Sequence, residues 1–323
     1  MDKVQITHEF DENNIRSFLD DVIYKKFNLY PGINDCQVRK YLFELVESSR
    51  KTGKLFIAHA DGKIIALSIV KELDWDSQHF GYKCAKIDYV LVNQTADIQI
   101  RKQALDLLVI SVENDALNRN ITFMSVSIDS WDAITSYTLQ SHNFKYILTW
   151  LDGIHISKSK LKLYYPEHEI GLIKDSEVEV YKTLASNNYF KGGRFYTDPY
   201  IDDSAVDQMY AKLIISSYEN NDILLSYRVN NEPVGLFICK KIVTYKHFNN
   251  LNVAHLRYFV IDPKIRQKQI GYDVFAATLN YLMNRCDVIS TGLEVHNLPS
   301  LNLHKKLNFK FNYTHNAFHW WAK

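Results

Sequence analysis

The segment 256–311 constrains this chain more than any other. It reads as a strand over 256–261, a turn opened by Asp262-Pro263, and the basic loop Lys264-Ile265-Arg266-Gln267-Lys268-Gln269-Ile270-Gly271. A helix over 272–284, a strand over 288–295 and a further helical segment from Asn297 to Phe309 follow. Positive charge and backbone N–H groups at the start of a helix suit a phosphate, because the unpaired amides and the helix dipole both favour an anion there. Gly271 lets the backbone approach such a ligand closely. The order strand, phosphate loop, helix, strand predicts an α/β unit.

The 323 residues are long for one compact domain and natural for two of about 150 each. A hydrophobic fraction of 46% is enough to fill two cores, so disorder is not expected. The formal net charge of +1 gives no basic excess for nucleic acid, and no nucleic-acid partner is expected. No apolar run approaches the roughly 20 residues a bilayer span needs. The residues after Met1 lack the apolar stretch of a signal peptide, so a cytoplasmic protein without a membrane span is expected. Cys36, Cys84, Cys239 and Cys286 are far apart and form no CxxC pair, which predicts reduced thiols and no metal site.

The first half reads as helices, then a hairpin over 54–60 and 63–70 turned at Asp61-Gly62. A strand over 86–92, a helix over 96–118, a strand over 121–128, a helix over 131–140 and a strand over 144–156 follow. The second half repeats that order: helices over 176–188 and 204–218, a hairpin over 223–229 and 234–241, then the segment described above. Residues 129–146 lie over 294–311 without a gap, and both end in Asn-Phe-Lys plus an aromatic, which points to a tandem duplication. Domains are expected at 1–160 and 170–323, joined by the Lys- and Tyr-rich connection 158–174. The first copy reads Asn93-Gln-Thr-Ala-Asp-Ile-Gln after its strand, with no glycine or basic residue, and so lacks the phosphate loop.

The segment 256–311 resembles the acyl-CoA-binding core of the GNAT N-acyltransferases. In that family an (Arg/Gln)-x-x-Gly-x-(Gly/Ala) loop grips the CoA pyrophosphate, and a helix of pattern Asn-x-x-(Ala/Ser)-x-x-Leu-Tyr-x-x-x-Gly-Phe follows. The resemblance implies two tandem GNAT-like α/β domains of α+β type, each a mixed, mostly antiparallel sheet flanked by helices. It implies acetyl-CoA as acyl donor, held by Arg266, Gln267, Lys268, Gln269, Ile270 and Gly271, and no metal. A backbone amide near Phe259 or Val260, where the family parts two parallel strands, would meet the thioester carbonyl. Asn297 and Ser300 fill the Asn and Ala/Ser positions. Gln269 stands in place of the first loop glycine, His304 in place of the usual Tyr, and Asn308 in place of the Gly before Phe.

His304 is therefore the expected acid for the leaving thiolate, since an imidazole near pKa 6.5 could donate to sulfur; Tyr313 and His315 are weaker candidates. Glu294 and His296 share one face of their strand by alternation, and either could relay the amine proton. Two further patches, Leu73–Gly81 and Arg194–Tyr210, resemble a narrower group, the two-domain enzymes of the dTDP-fucosamine acetyltransferase type. That resemblance implies a nucleotide-linked amino-deoxysugar as the primary-amine acceptor, with Trp75, Asp76, Arg194, Asp198 and Tyr210 as substrate-binding candidates. A homodimer is compatible with the sequence. Two other functions fit part of the pattern. One is a catalytically inactive GNAT-like scaffold, which the lost Tyr and Gly would suit. The other is an aminoacyl-tRNA-dependent peptidoglycan transferase, against which the near-neutral charge counts.

Overall fold

The computed structural model describes residues 4–187, 190–265 and 269–322. The chain divides into two compact units. Met1–Phe27, Ile33–Trp150 and Thr314–Lys323 form the first; Asn28–Gly32 and Leu151–Tyr313 form the second. The division differs from a simple cut in the connection 158–174. The last strand joins the first unit, residues 28–32 join the second, and the connection itself lies within the second.

The first unit contains β1 (Gln5–Thr7), α1 (Glu12–Asp20), α2 (Asp35–Arg50), β2 (Lys54–Ala60), β3 (Lys63–Glu72), α3 (Asp74–Phe80) and β4 (Cys84–Val92). After these come α4 (Ile98–Asn118), β5 (Phe123–Asp129), α5 (Ala133–Ser141) and the opening of β6 (Lys145–His155). Asn34 and Gln37 close a reciprocal capping box at the start of α2, satisfying two amides the helix cannot pair itself. The sheet order is β1-β2-β3-β4-β5, and the far end of β13 (Lys310–Trp321) pairs antiparallel with β5 from His315↔Asp129 to Trp321↔Phe123. A strand at the chain's end goes to the edge that offers it a ladder, and sequence order does not reveal that edge. One core packs Ala104, Leu105, Leu108 and Val112 of α4 on the sheet; the other packs Phe18, Leu19, Leu42 and Val46 of α1 and α2 on its opposite face. Leu107 of α4 is exposed, whereas Leu105 and Val109 are buried.

The second unit continues with β7 (Glu169–Leu172), α6 (Val178–Ser186), α7 (Asp203–Glu219), β8 (Ile223–Val229), β9 (Glu232–Cys239), β10 (Val243–Tyr245) and β11 (Leu251–Ile261). It then adds α8 (Ile270–Leu282), β12 (Val288–Glu294) and α9 (Leu298–Lys306). Its strands run in the order β6-β12-β11-β9-β8-β7, with β10 also on β11. The β8–β9 hairpin turns on Asn230 and Asn231 at φ 51° and 65°, so Glu232 and Pro233, read from sequence as turn residues, belong to the strand. Two left-handed residues give the turn whose twist matches a hairpin, and Asn accepts that conformation best after Gly. Phe275, Leu279 and Leu282 of α8 pack on one face, while Tyr181 and Ile214 of α6 and α7 pack on the other.

Two polar devices tie this unit together. Arg228, 1% exposed, donates to Glu177 at 2.5 and 2.8 Å, to Glu169 at 3.1 Å and to the Leu172 carbonyl at 3.0 Å. The connection is strapped to α8, whose buried Asp273 accepts from the amides of Tyr164 and Tyr165 at 2.9 and 2.7 Å. Asn280 exchanges two further bonds with the Leu161 backbone.

The duplication is legible in the caps. Asp132 and Asn297, superposed in the repeat, each cap their helix by accepting from the amide three residues on, Thr135 and Ser300. Asn143 and Asn308, also superposed, both leave their helices in the left-handed region at φ 64° and 59°.

Candidate active site

Among the described residues each unit holds a parallel strand pair that parts. In the second unit β11 and β12 are paired at Val253↔Val288, Ala254↔Ile289 and His255↔Ser290, and among the described residues the ladder ends there. β11 nonetheless runs on to Ile261 and β12 to Glu294. The register of β11 with β9 shifts between Leu256 and Tyr258, making Arg257 the extra residue of a bulge. Past the bulge β11 keeps β9 on one side, so alternate amides between Leu256 and Ile261 point to the open side. Phe259 turns to the α8 side, on Phe237 and Phe275, while Tyr258 and Val260 turn to the α6–α7 side.

Of the loop expected to hold pyrophosphate, Arg266, Gln267 and Lys268 lie outside the described residues. Gln269 does not adopt the helical conformation: its φ is 88° and ψ −16°, a left-handed geometry that suits glycine, the family's residue there. Ile270, which opens α8, is buried, and a Cβ on Gly271 would meet Ile261 Cδ1 at an ordinary 3.6 Å. Gln269 gives α8 no side-chain cap, so its first amides are not claimed by their own N-cap residue. The first unit differs at this point. Asn93 Oδ1 accepts from the amides of Thr95 and Ala96 at 2.8 and 3.0 Å, and Asp97 caps α4 through Gln99 and Ile100. The place where an anion would sit already holds a carboxylate.

On the α6–α7 side of the parted strands, Glu294 ends β12 with 9% exposure. Burial pushes its carboxyl above the usual range, against the opposing hydrogen bond from Asn297 Nδ2 at 3.5 Å. Gly193 lies beside it, and a Cβ there would stand 3.2 Å from Tyr210 Oη and 3.7 Å from Glu294 Oε1. Burial, then the charge of Glu294, push the Tyr210 phenol up to about 12, with Arg194 opposing. Tyr210 stacks on Tyr258 at 5.2 Å and on Tyr196 at 6.0 Å. Tyr196 donates to Asp207 at 2.5 Å. The Tyr258 hydroxyl is buried without a hydrogen-bond partner among the described residues. His296 donates to the Gly192 carbonyl at 3.1 Å, and a Cβ on Gly192 would come within 2.5 Å of Phe190 and 2.8 Å of His296.

His304 packs against Phe275 of α8. It is 5% exposed, with Phe275 and Phe309 edge-on at 4.8 Å. Its Nδ1 bonds the Ser300 carbonyl at 2.7 Å and therefore carries the proton, leaving Nε2 to accept from Thr291 at 3.3 Å. Burial lowers its pKa, so the neutral ring has no proton free to give at neutral pH. In the repeat His304 lies over Leu139, which is fully buried, so it fills an apolar position of the fold. Asn297 and Ser300 are both spent on the α9 cap, Asn297 also reaching Glu294.

The substrate-binding candidates divide between the units. Arg194, its guanidinium over Phe195, and Tyr210 share the Glu294 cluster, whereas Asp198, 2% exposed, caps its own turn through the Tyr200 amide. Trp75 and Asp76 sit in the first unit on α3, a surface helix with no buried residue, where Trp75 is 44% exposed and stacks on His79. Tyr196, Tyr258, Asp207, Gly192 and Gly193 were not anticipated. Among 21 tyrosines no spacing marks three from different elements, although Gly192-Gly193 before Arg194 is a signal that could have been read. Among the described residues no group of His, Cys, Asp or Glu could hold a metal ion, and no helix is long and apolar enough to cross a membrane.

The second unit thus joins a bulged, parted strand pair to a helix whose N-cap residue makes no side-chain bond. Residues 191–309 match the family model described as the acetyltransferase (GNAT) family. The chain is similar over 98% of its length to 95% of a GCN5-related N-acetyltransferase from Sphaerobacter thermophilus, with TM-score 0.64 and 8% identity. It is similar over 99% of its length to 38% of a fungal multi-domain GH3 β-N-acetylglucosaminidase that has a GCN5-related glucosamine N-acetyltransferase region, with TM-score 0.63 and 12% identity. A tandem GNAT protein from the clavulanic acid biosynthesis pathway matches over 99% of both chains, with TM-score 0.57 and 11% identity. At these identities the structural likeness speaks for the fold. No curated protein matches the sequence. Residues 191–309 thus carry the GNAT acetyltransferase match, and the chain as a whole has a tandem GNAT fold.

Proposed function

We propose that the second unit moves an acetyl group from acetyl-CoA to a primary amine, with Glu294 as the base. One observation carries this reading: β11 and β12 part beyond His255 and Ser290, and a buried carboxylic acid with a raised pKa stands at the open end of β12. In the gap the thioester carbonyl meets an amide of β11 near Phe259 or Val260, which stabilises the oxyanion of the tetrahedral intermediate. The α8 start, with Gln269, Ile270, Gly271 and the residues 266–268 before it, holds the CoA phosphates. Glu294, held by Asn297, takes the proton from the attacking amine. For the departing thiolate we assign Tyr258 as hydrogen-bond donor in preference to His304. Its buried hydroxyl has an unspent proton, and burial keeps that proton on the phenol.

The acceptor we favour is an amino-deoxysugar linked to a nucleotide. The resemblance of the patches 73–81 and 194–210 supports this, as do Arg194 and Tyr210, which share the Glu294 cluster. One structural neighbour is named for glucosamine N-acetylation, a related acceptor. The test is calorimetric titration with acetyl-CoA of the wild type and of Gly271→Glu. Saturable binding by the wild type, lost in the variant, supports the donor site and opens a screen of amino-sugar nucleotides. If the wild type does not bind, the inactive-scaffold reading replaces this one.

A further inference from the structure

Burial alternates along the connection between β6 and β7. Lys160, Lys162 and Tyr164 are exposed, whereas Leu161, Leu163 and Tyr165 are half-buried and pack on the cores beneath α8. An extended chain that lays one row of side chains on a helix turns the other row to solvent. Two residues of α8 hold the segment in that register. Asn280 exchanges two bonds with the Leu161 backbone, and Asp273 accepts from the amides of Tyr164 and Tyr165. Asp273 and Asn280 lie two turns apart on one face of α8, about 10.5 Å, and the three residues from Leu161 to Tyr164 span about 10 Å when extended. The strap therefore runs back along α8 towards its start, and its outer row of Lys160, Lys162 and Tyr164 ends at the first turn of the helix.

Tyr164 closes the row beside Tyr272, the residue after Gly271. The two rings meet edge to face with centroids 5.3 Å apart, and Tyr164 stays 58% exposed. Fastening the connection needs the leucines, Tyr165 and the backbone bonds. It does not call for an exposed aromatic ring at the end of the outer row or for two lysines leading to it. That row offers a ring face for a planar base and two cations for a phosphate. Both stand next to the helix start that suits the CoA phosphates.

We propose that this row receives the nucleotide end of the acyl donor: the adenine of CoA stacks on Tyr164, and the phosphate on its ribose is held by Lys160 and Lys162. This inference rests on the reading that the CoA pyrophosphate sits at the start of α8. The adenosine hangs from that pyrophosphate by its ribose, so it leaves the helix start at close range, where Asp273 holds the end of the strap. The two contributions are separable. The lysines act on the ribose phosphate, and the ring acts on the base whether or not that phosphate is present.

The experiment titrates the full chain in a calorimeter with acetyl-CoA and with acetyl-dephospho-CoA, which lacks only the ribose phosphate. Tyr164→Ala should weaken both donors by about 5- to 150-fold, the range for losing one base–aromatic stack. Tyr164→Phe keeps the ring and should restore the affinity, whereas Tyr164→Leu keeps bulk without the ring and should not. The wild type should prefer acetyl-CoA over acetyl-dephospho-CoA by about tenfold or more, and Lys160→Ala with Lys162→Ala should bind the two donors alike. Asp273 and Asn280 are untouched in every variant, so the strap stays fastened, and thermal unfolding without donor checks that. Acetyl-CoA binding by Tyr164→Ala within twofold of wild type, or a wild type that does not distinguish the two donors, overturns this inference and leaves the transferase reading standing. Absence of acetyl-CoA binding by the wild type removes both.

Discussion

Gln269 is where the sequence departs from its family and where the backbone departs from comfort. At φ 88° a non-glycine residue carries a left-handed penalty of about 1–2 kcal/mol. Gln269→Gly removes that penalty from the folded state but loosens the unfolded chain, which costs about 0.4–1 kcal/mol. The balance is a stabilisation of roughly 0.5–1 kcal/mol, worth about 1–4 °C in the transition of a unit this size. Gln269 makes no side-chain capping bond, so shortening the side chain alone should do little. Gln269→Ala, which keeps the strain, should therefore stay near wild type and isolates the backbone effect. The assay is thermal unfolding of both variants with and without acetyl-CoA, because a ligand raises the transition of the unit that binds it. Two results would refute the reasoning. Equal shifts for Gly and Ala would mean the side chain matters and the backbone is not strained. Destabilisation by the Gly variant beyond about 1 kcal/mol would mean the unfolded-chain term dominates.

Arg228→Ala leaves Glu177 buried without its partner and should cost about 3–5 kcal/mol in denaturant unfolding. Burial alone would raise the Glu177 pKa, but the Arg228 bonds more than offset it and hold the carboxyl below its usual range. The wild type should accordingly hold this stability above about pH 4.3 and lose it as pH falls through the depressed folded value. Glu294→Gln should lower turnover by about 10²–10⁴-fold while leaving acetyl-CoA affinity within a few-fold, and the acidic limb of the wild-type pH–rate profile should lie above the ordinary carboxylate range. His304→Leu, which copies Leu139 of the first unit, should keep turnover within about tenfold, whereas loss of a true general acid would cost about 100-fold or more. The lowered pKa of His304 means its stabilising contribution is full above about pH 6.5 and lost as pH falls through the folded value; unfolding of His304→Leu should lack that dependence. Gly192→Ala forces Phe190 and His296 apart and should destabilise by about 1–3 kcal/mol, with the loop's proteolysis rate as a second reading.

The elements that sequence revealed are those whose signal is local. The hairpin over 54–70, the helix start at Asn297 and the repeat of Asp132 on Asn297 all depend on residues within a few positions of one another. The exchange of the last strand to β5 depends on pairing across nearly two hundred residues, and nothing in 314–321 announces its partner. The cluster around Glu294 has the same character. Tyr196, Tyr210, Tyr258 and Gly193 come from a loop, a helix and a strand, and each alone reads as core or turn. His304 shows two sequence signals that diverge. A family position supplied a chemical role, while the local pattern, with Leu139 in the other copy, already marked the site as apolar.

The two copies also show how one fold loses or keeps an anion site. Each has a parallel strand pair that parts: Cys84↔Phe123 to Ile87↔Val126 in the first, Val253↔Val288 to His255↔Ser290 in the second. Each follows with a bulge beside the gap and a helix. What separates them is the turn between strand and helix, residues 93–97 against 262–269. In the short turn Asn93 and Asp97 satisfy the amides that a phosphate would need, so that helix is complete without a ligand. In the long turn the N-cap residue is a strained Gln269 that caps nothing. A helix start whose N-cap side chain makes no bond leaves its first amides to other partners, and a bound anion is one that fits there. Lengthening the turn 93–97 without removing Asp97 should therefore create no acetyl-CoA binding in the first unit, since its carboxylate would still repel the phosphate from those amides.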